Sequence, residues 1–339
     1  MANYGIFKAK QELTKTSVAN DIQVTFFDGR GGPPARGGGK THRFYASMGS
    51  DISTNQIELT IQGQTVSSKF GTIESARYNA EQLIHAGLTS GFSDDIPSTF
   101  TAEEDKLLKE LSSISYQSYQ DLKSHPSFVS YLSEMTPLQY YGQTNIGSRP
   151  AKRSKKGNDE PKFRFEDLRA IPFVGAWSQM KQNVPGFFGV GTAIEKMEAA
   201  GHGQQLKSLY QSSSFFRALM DNCEMAVTKC DFRLTRHLES DKEYGEFWCQ
   251  MHDEYQKTRA AVLRVSEKTE LMSDYPVDRE SIDTRERIVK PLTTIQQFAL
   301  MRIRELADNE GSSTSMKEAY EKLVMRCSFG IINASRNSA

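Results

Sequence analysis

The stretch from Phe26 to Thr41 constrains the chain more than any other. It holds Gly29, Gly31 and Gly32, then Pro33 and Pro34, then Gly37, Gly38 and Gly39, with Arg30 and Arg36 six residues apart. So many glycines and prolines cannot form the interior of a helix or a strand. The stretch follows an apolar, β-prone run, Ile22-Gln23-Val24-Thr25-Phe26-Phe27. A strand over 22–27 and a loop over 28–41 are therefore expected. Glycines let successive N–H groups turn inward toward an oxyanion. Arginine forks match phosphate or carboxylate. The layout is that of an anion site at a strand end.

Gly39-Lys40-Thr41 resembles the end of a P-loop, but that motif needs a glycine where Pro34 stands. An RGG-type RNA-binding segment would be long, repetitive and disordered, whereas only two RGG units occur here, beside well-patterned chain. The formal net charge of zero also argues against a dedicated nucleic-acid binder. Four cysteines, Cys223, Cys230, Cys249 and Cys327, show no CxxC spacing, so a zinc site is not expected and free thiols fit a reducing compartment. The six histidines are scattered and none is given a chemical role. No apolar run approaches the roughly 18 residues of a membrane span.

Helices are expected over 5–19, over 72–90 with Ile73, Ala76, Ala80, Leu83 and Ile84 near one face, and from Thr101, a candidate N-cap, onward. Ile57 to Val66 alternates like a strand or hairpin. Ser127 to Met135 reads as a short helix ending before Pro137. Ser154 to Lys162 is polar and turn-rich, a mobile loop by composition. Leu168 to Trp177 is apolar after one arginine, the pattern of a buried strand with a charge at its end. From about 203 the pattern is helical to the end, with only Pro276 and Pro291 interrupting. The abrupt start of the first helix hints at a chain cut from something longer.

Three basic segments thus fall at strand ends or turns: Arg30 and Arg36; Arg149, Lys152 and Arg153; Arg169 and Lys181. In α/β folds such loops converge on one ligand. The residues themselves lead as far as a cationic phosphate or carboxylate site, with no metal ligands and no base poised beside a nucleophile.

Three ordered blocks extend this. Asp28-Gly29-Arg30-Gly31-Gly32 through Gly39 resembles the FHGRGGxxGRGGGP signature of the phosphoenolpyruvate carboxylase family. Ile146 to Arg153 is similar to its IGSRPAKR block, and Leu168 to Gln179 to its LRAIPWxxAWTQ block. Ser335-Arg336-Asn337-Ser338-Ala339 resembles its RNTG terminus. The resemblance implies an α/β, strongly helix-rich fold: later strands of a (β/α)8 TIM-type barrel over 1–200, and an all-helical C-terminal region over 201–339. It also implies the C-terminal part of a much longer enzyme, beginning after the family's catalytic histidine, metal-binding carboxylates and catalytic lysine.

The family is a cytoplasmic, tetrameric, allosteric lyase of carbon dioxide fixation. It joins phosphoenolpyruvate and bicarbonate into oxaloacetate and phosphate with Mg2+ or Mn2+, feeding the tricarboxylic acid cycle. By resemblance, Arg30 binds the substrate phosphate and Arg36 sits near bicarbonate, with Asp28 beside them. Arg149, Arg169 and Lys181 complete the cationic pocket, and 152–162 acts as a lid. An inhibitory aspartate or malate would be held by Arg36, Lys229, Arg285 (with Arg287 a rival) and Asn337. The departures are Asp28 for the family's histidine, Lys40 for a proline, Lys181 for a phosphate-binding arginine and Ser-Ala for the terminal Thr-Gly. The isolated fragment is expected to be inactive. A non-catalytic aspartate- or malate-binding module is the alternative, ahead of an RGG-type RNA binder. Neither nucleic acid nor membrane is an expected partner.

Overall fold

Helices carry most of the chain. The computed structural model describes residues 2–29, 41–49, 51–52, 56–61, 66, 69–92, 100–141, 168–307 and 314–335. The main elements are α1 (Ala2–Ala19), β1 (Phe26–Asp28), α2 (Thr41–Ala46), β2 (Ile57–Leu59), α3 (Ile73–Phe92), α4 (Ala102–Lys123), α5 (Phe128–Ser130), α6 (Leu138–Tyr141), α7 (Ala170–Gln179), α8 (Val190–Ala199), α9 (Gly203–Ser212), α10 (Ser214–Thr228), α11 (Gly245–Ser266), α12 (Pro276–Ala307) and α13 (Thr314–Ser335). A π turn, Tyr131–Met135, continues α5, and 3-10 turns span Val184–Gly186 and Phe232–Leu238. Two compact units emerge. One takes residues 1–120, 186–227 and 254–271; the other takes 121–185, 228–253 and 272–339. Each is assembled from three separate stretches of chain.

In the first unit β1 and β2 pair in parallel, Phe26 opposite Ile57 and Asp28 opposite Leu59. They form the one sheet among the described residues, and no barrel is closed by them. The strand expected over 22–27 is confined to Phe26–Asp28. That expected over 57–66 is confined to Ile57–Leu59, with 62–65 outside the described residues. Phe7 of α1 anchors the core against Phe215, ring centroids 4.3 Å apart, and against Phe100 at 5.7 Å. α4 opens on a capping box: the Glu104 N–H donates to Thr101 Oγ1 at 3.2 Å, and the Thr101 N–H donates to Glu104 Oε2 at 2.9 Å. At the start of α8, Glu254 Oε1 accepts the N–H groups of Gly189 and Thr192 at 3.0 and 3.1 Å. A carboxylate there satisfies two otherwise orphaned donors and complements the positive helix end. Gly189 adopts φ +88°, a conformation that favours glycine.

The apolar stripe expected to bury α3 faces outward in part: Ile73, Ile84 and Leu88 are exposed, while Ala86 is buried. Periodicity identifies the helix but not whether anything covers its stripe.

The second unit is built on an aromatic core. Trp177 of α7, Phe128, Tyr131, Tyr244 and Phe247 are all fully buried, with Tyr131 stacked on Trp177 at 5.9 Å. Several buried polar groups pair within this core: Gln182 Nε2 donates to Tyr131 Oη and Thr235 Oγ1, and Trp248 Nε1 donates to Thr235 Oγ1, whereas Trp177 Nε1 has no partner among the described residues. α12 and α13 pack through Ala299, Leu300, Ile303 and Val324. Pro276 occupies the first position of α12, where no N–H is needed. Pro291 lies inside the same helix and removes one backbone hydrogen bond.

One element differs from expectation in kind. Leu168 to Trp177 was expected as a buried strand, but residues 170–179 form α7. Pro172 falls in its first turn, where a missing donor costs nothing. A short run that is apolar throughout suits a buried helix as well as a buried strand.

Candidate functional site

The second unit holds a cavity of about 30 Å³ whose wall includes Lys181, Asn183, Lys229, Arg285 and Glu286. It is assembled from three stretches of chain. The first is the turn after α7, where Lys181 and Asn183 take positive φ, 56° and 42°. Strained positions of this kind persist only where surrounding structure enforces them. Here the Asp231 N–H donates to the Lys181 carbonyl at 2.8 Å, and Cys230 Sγ donates to the Gln182 carbonyl at 3.1 Å. Those two bonds seat the second stretch, residues 229–231, beside the turn and so bring Lys229 next to Lys181. The third stretch is α12, which contributes Arg285 and Glu286.

Lys181 Nζ and Glu286 Oε1 form a buried ion pair at 2.5 Å. The second oxygen, Oε2 of Glu286, is buried with no hydrogen-bond partner among the described residues. Arg285 Nη2 donates to Ser281 Oγ one turn earlier at 2.6 Å. Arg285 also lines an adjoining surface hollow with Ser281, Thr284 and Asn333. Arg287 is exposed, because two residues further along a helix the side chain points about 200° away. Arg285 thus lines the cavity, whereas Arg287 does not.

Lys229 is half-buried and makes no hydrogen bond or ion pair with a described residue. Burial, with Lys181 and Arg285 nearby, lowers its ammonium pKa from 10.5 to about 8, partly offset by Glu286 and Asp278. Behind it Asp231 is salt-bridged to Arg233 at 2.7 Å and Lys290 at 3.1 Å. Burial raises the Asp231 pKa, but these two cations outweigh it and hold the carboxyl at about 2. Burial pushes the Cys230 thiol well up, so it stays protonated.

The other expected site residues fall elsewhere. Arg169 immediately precedes α7, and its Nε is buried without a partner among the described residues. Ten helical residues, about 15 Å of rise, separate it from the Lys181 end of α7, and it is not part of the cavity wall. Asp28, in the first unit, is fully engaged: Lys10 Nζ bonds both carboxylate oxygens at 2.8 and 3.0 Å, and Tyr45 Oη donates at 2.8 Å. Arg30, Arg36, Arg149, Lys152, Arg153 and Asn337 lie outside the described residues, as do most of the glycine loop and the 152–162 segment. Among the described residues no three His, Cys, Asp or Glu side chains are grouped to hold a metal, and no helix is long and apolar enough to cross a membrane.

Glu286 is the member of the site that sequence reasoning missed. It stands between Arg285 and Arg287 in a charged run, and such runs ordinarily form solvated helix faces. Nothing in its sequence neighbours marks it as the partner of a lysine 105 positions away.

The family model for phosphoenolpyruvate carboxylase matches residues 1–338. Relatives named phosphoenolpyruvate carboxylase include those of Corynebacterium diphtheriae, 31% identical over 89% of this chain and 34% of the relative, and of Nitrosomonas eutropha, 32% identical over 91% and 34%. That of Trichormus variabilis is 29% identical over 95% of this chain and 32% of the relative. The chain thus spans about a third of the length of these relatives.

Proposed function

The chain belongs to the phosphoenolpyruvate carboxylase family, and on that premise we propose that it is the C-terminal part of a cytoplasmic enzyme that carboxylates phosphoenolpyruvate with bicarbonate, giving oxaloacetate and phosphate. The match over residues 1–338 carries the proposal. In it, β1 and β2 are late strands of a (β/α)8 barrel whose other strands lie elsewhere in the enzyme. Their parallel pairing and the exposed Phe27 are consistent with this. Arg30 binds the substrate phosphate, Arg36 faces bicarbonate, and Arg149, Arg169 and Lys181 extend the cationic surface. Fixed cations offset the repulsion between two anionic substrates and stabilise charge as it develops. The 152–162 segment excludes water that would hydrolyse the carboxyphosphate intermediate. A divalent ion, Mg2+ or Mn2+, supplies charge stabilisation at the enolate oxygen, and its ligands are assigned outside this chain. Asp28, paired with Lys10 and Tyr45, holds the chain entering the loop and presents no net negative charge to the substrate. The whole enzyme is tetrameric.

The cavity supports a second role, an inhibitory dicarboxylate site made by Lys229 and Arg285 with Arg36 and Asn337. Lys229, without a side-chain partner among the described residues, and the flanking arginine offer two cations to two carboxylates. Purified chain supplied with both substrates and Mg2+, assayed for oxaloacetate by coupled reduction, is expected to form none. Turnover would refute the fragment reading. Calorimetry with aspartate is expected to give a binding signal that Lys229→Ala abolishes, and a signal unchanged in that variant would refute the dicarboxylate site.

A further inference from the structure

The enclosed cavity of the second unit measures about 30 Å³. A water molecule needs about 10–15 Å³ of such space, so the cavity holds about two water-sized groups, the two oxygens of one carboxylate. Lys229 stands at its wall and makes no hydrogen bond or ion pair with a described residue. We propose that Lys229 is a site of reversible carbamylation, its amine taking up carbon dioxide and placing the new carboxylate in this cavity. The inference does not depend on the dicarboxylate reading. It bears on that reading in one respect, since a carbamate would replace the cation at Lys229 by an anion.

The step needs only the amine and CO2. The ammonium first loses a proton to water. The nitrogen lone pair then forms an N–C bond to the carbon of CO2, one C=O pair moves onto oxygen, and the nitrogen releases a second proton. The neutral amine is within reach here, because burial beside Lys181 and Arg285 brings the ammonium pKa from 10.5 to about 8. About half of Lys229 is then neutral at pH 8, against about three parts in a thousand for an unperturbed lysine. The product also suits the wall. Arg285 lines it and presents a fork that fits a carboxylate. The carbamate keeps one N–H, and Oε2 of Glu286 is a buried acceptor without a partner among the described residues. Glu286 and Asp278 oppose the added negative charge. Lys181 already offsets Glu286 through their ion pair, and Asp278 is not part of the wall. Arg285 is therefore the cation on which occupancy turns.

The test equilibrates the 339-residue chain with carbon-13 bicarbonate and dissolved CO2 at pH 8, esterifies carbamates with a trialkyloxonium salt, and locates the label by mass spectrometry after trypsin. Trypsin does not cut at a carbamylated lysine, so the expected product is the peptide 218–233, uncut at Lys229 and carrying one labelled carboxyl. Label at Lys229 is expected to exceed that at the exposed Lys15 and Lys109 at least about tenfold. In Arg285→Gln it is expected to fall about tenfold, the worth of one charge-assisted hydrogen bond in a partly solvated site. Label absent from Lys229, or no greater there than at Lys15, would overturn the proposal, as would label undiminished in Arg285→Gln. Where that variant does not fold, the wild-type ratio of Lys229 to Lys15 decides alone. Aspartate enters none of these readouts, so a failure here leaves the dicarboxylate site standing, and a failure of aspartate to bind leaves the carbamate standing.

Discussion

Lys229→Met should stabilise the unliganded chain at neutral pH. The folded structure holds this ammonium near Lys181 and Arg285 and out of bulk water, so its pKa falls from 10.5 to about 8. At pH 7 the lysine is protonated in both the folded and unfolded states, and the folded state bears the whole cost of keeping it so. A depression of that size corresponds to roughly 3 kcal/mol. Screening at a half-buried side chain reduces the expected gain on substitution to about 1–2 kcal/mol. The sign with pH follows from proton counting. Between about 8 and 10.5 the unfolded chain binds the extra proton, so wild-type stability rises through that window. The advantage of Lys229→Met should therefore shrink from pH 7 to pH 10. Urea unfolding followed by tryptophan fluorescence suits the measurement, because both tryptophans, Trp177 and Trp248, are buried in the unit that holds the cavity. A destabilised variant at pH 7, or an advantage that does not change between pH 7 and pH 10, would refute the reasoning.

Two further predictions concern the first unit. Lys268 and Glu224 form a buried ion pair at 3.0 Å, so Lys268→Met should cost about 3–5 kcal/mol by stranding the carboxylate. The double change Glu224→Gln with Lys268→Met should recover much of this in a urea titration. Gly191 packs so closely that an added Cβ would lie 2.3 Å from the Thr258 amide nitrogen. Gly191→Ala should then cost about 1–3 kcal/mol or more, whereas Gly203→Ala, whose nearest neighbour is a side-chain atom at 3.5 Å, should leave the melting temperature within a degree or two.

Features encoded by neighbours in the chain were legible in the sequence. Thr101 caps the start of α4 as expected, and Glu104 three residues on completes a capping box with it. The helical last third follows from a repeating stripe. What was hidden depends on chain brought together from afar. The apolar run at Leu168 to Trp177 carries no period that tells a buried helix from a buried strand, and only its packing around Trp177 decides. The alternation of the two units along the sequence has no local marker at all. Of the residues lining the cavity, Lys229 and Arg285 were candidates through a family resemblance, but Glu286 was not, since its partner Lys181 is remote in sequence.

Glu286 also bears on Lys181 itself. Where the family is expected to carry an arginine, lysine offers a single point charge in place of a fork. That charge is buried at a residue with left-handed backbone, two costs borne at one position. An ion pair at 2.5 Å offsets the burial of the ammonium but also engages it. On the proposed reading, a phosphate approaching Lys181 would compete with a carboxylate already fixed in place. The same carboxylate raises the pKa of Lys229 against the effect of its cationic neighbours. Any movement of Glu286 therefore affects Lys181 and Lys229 together. In this way a residue without an evident role in the sequence holds Lys181 and shifts Lys229 at once.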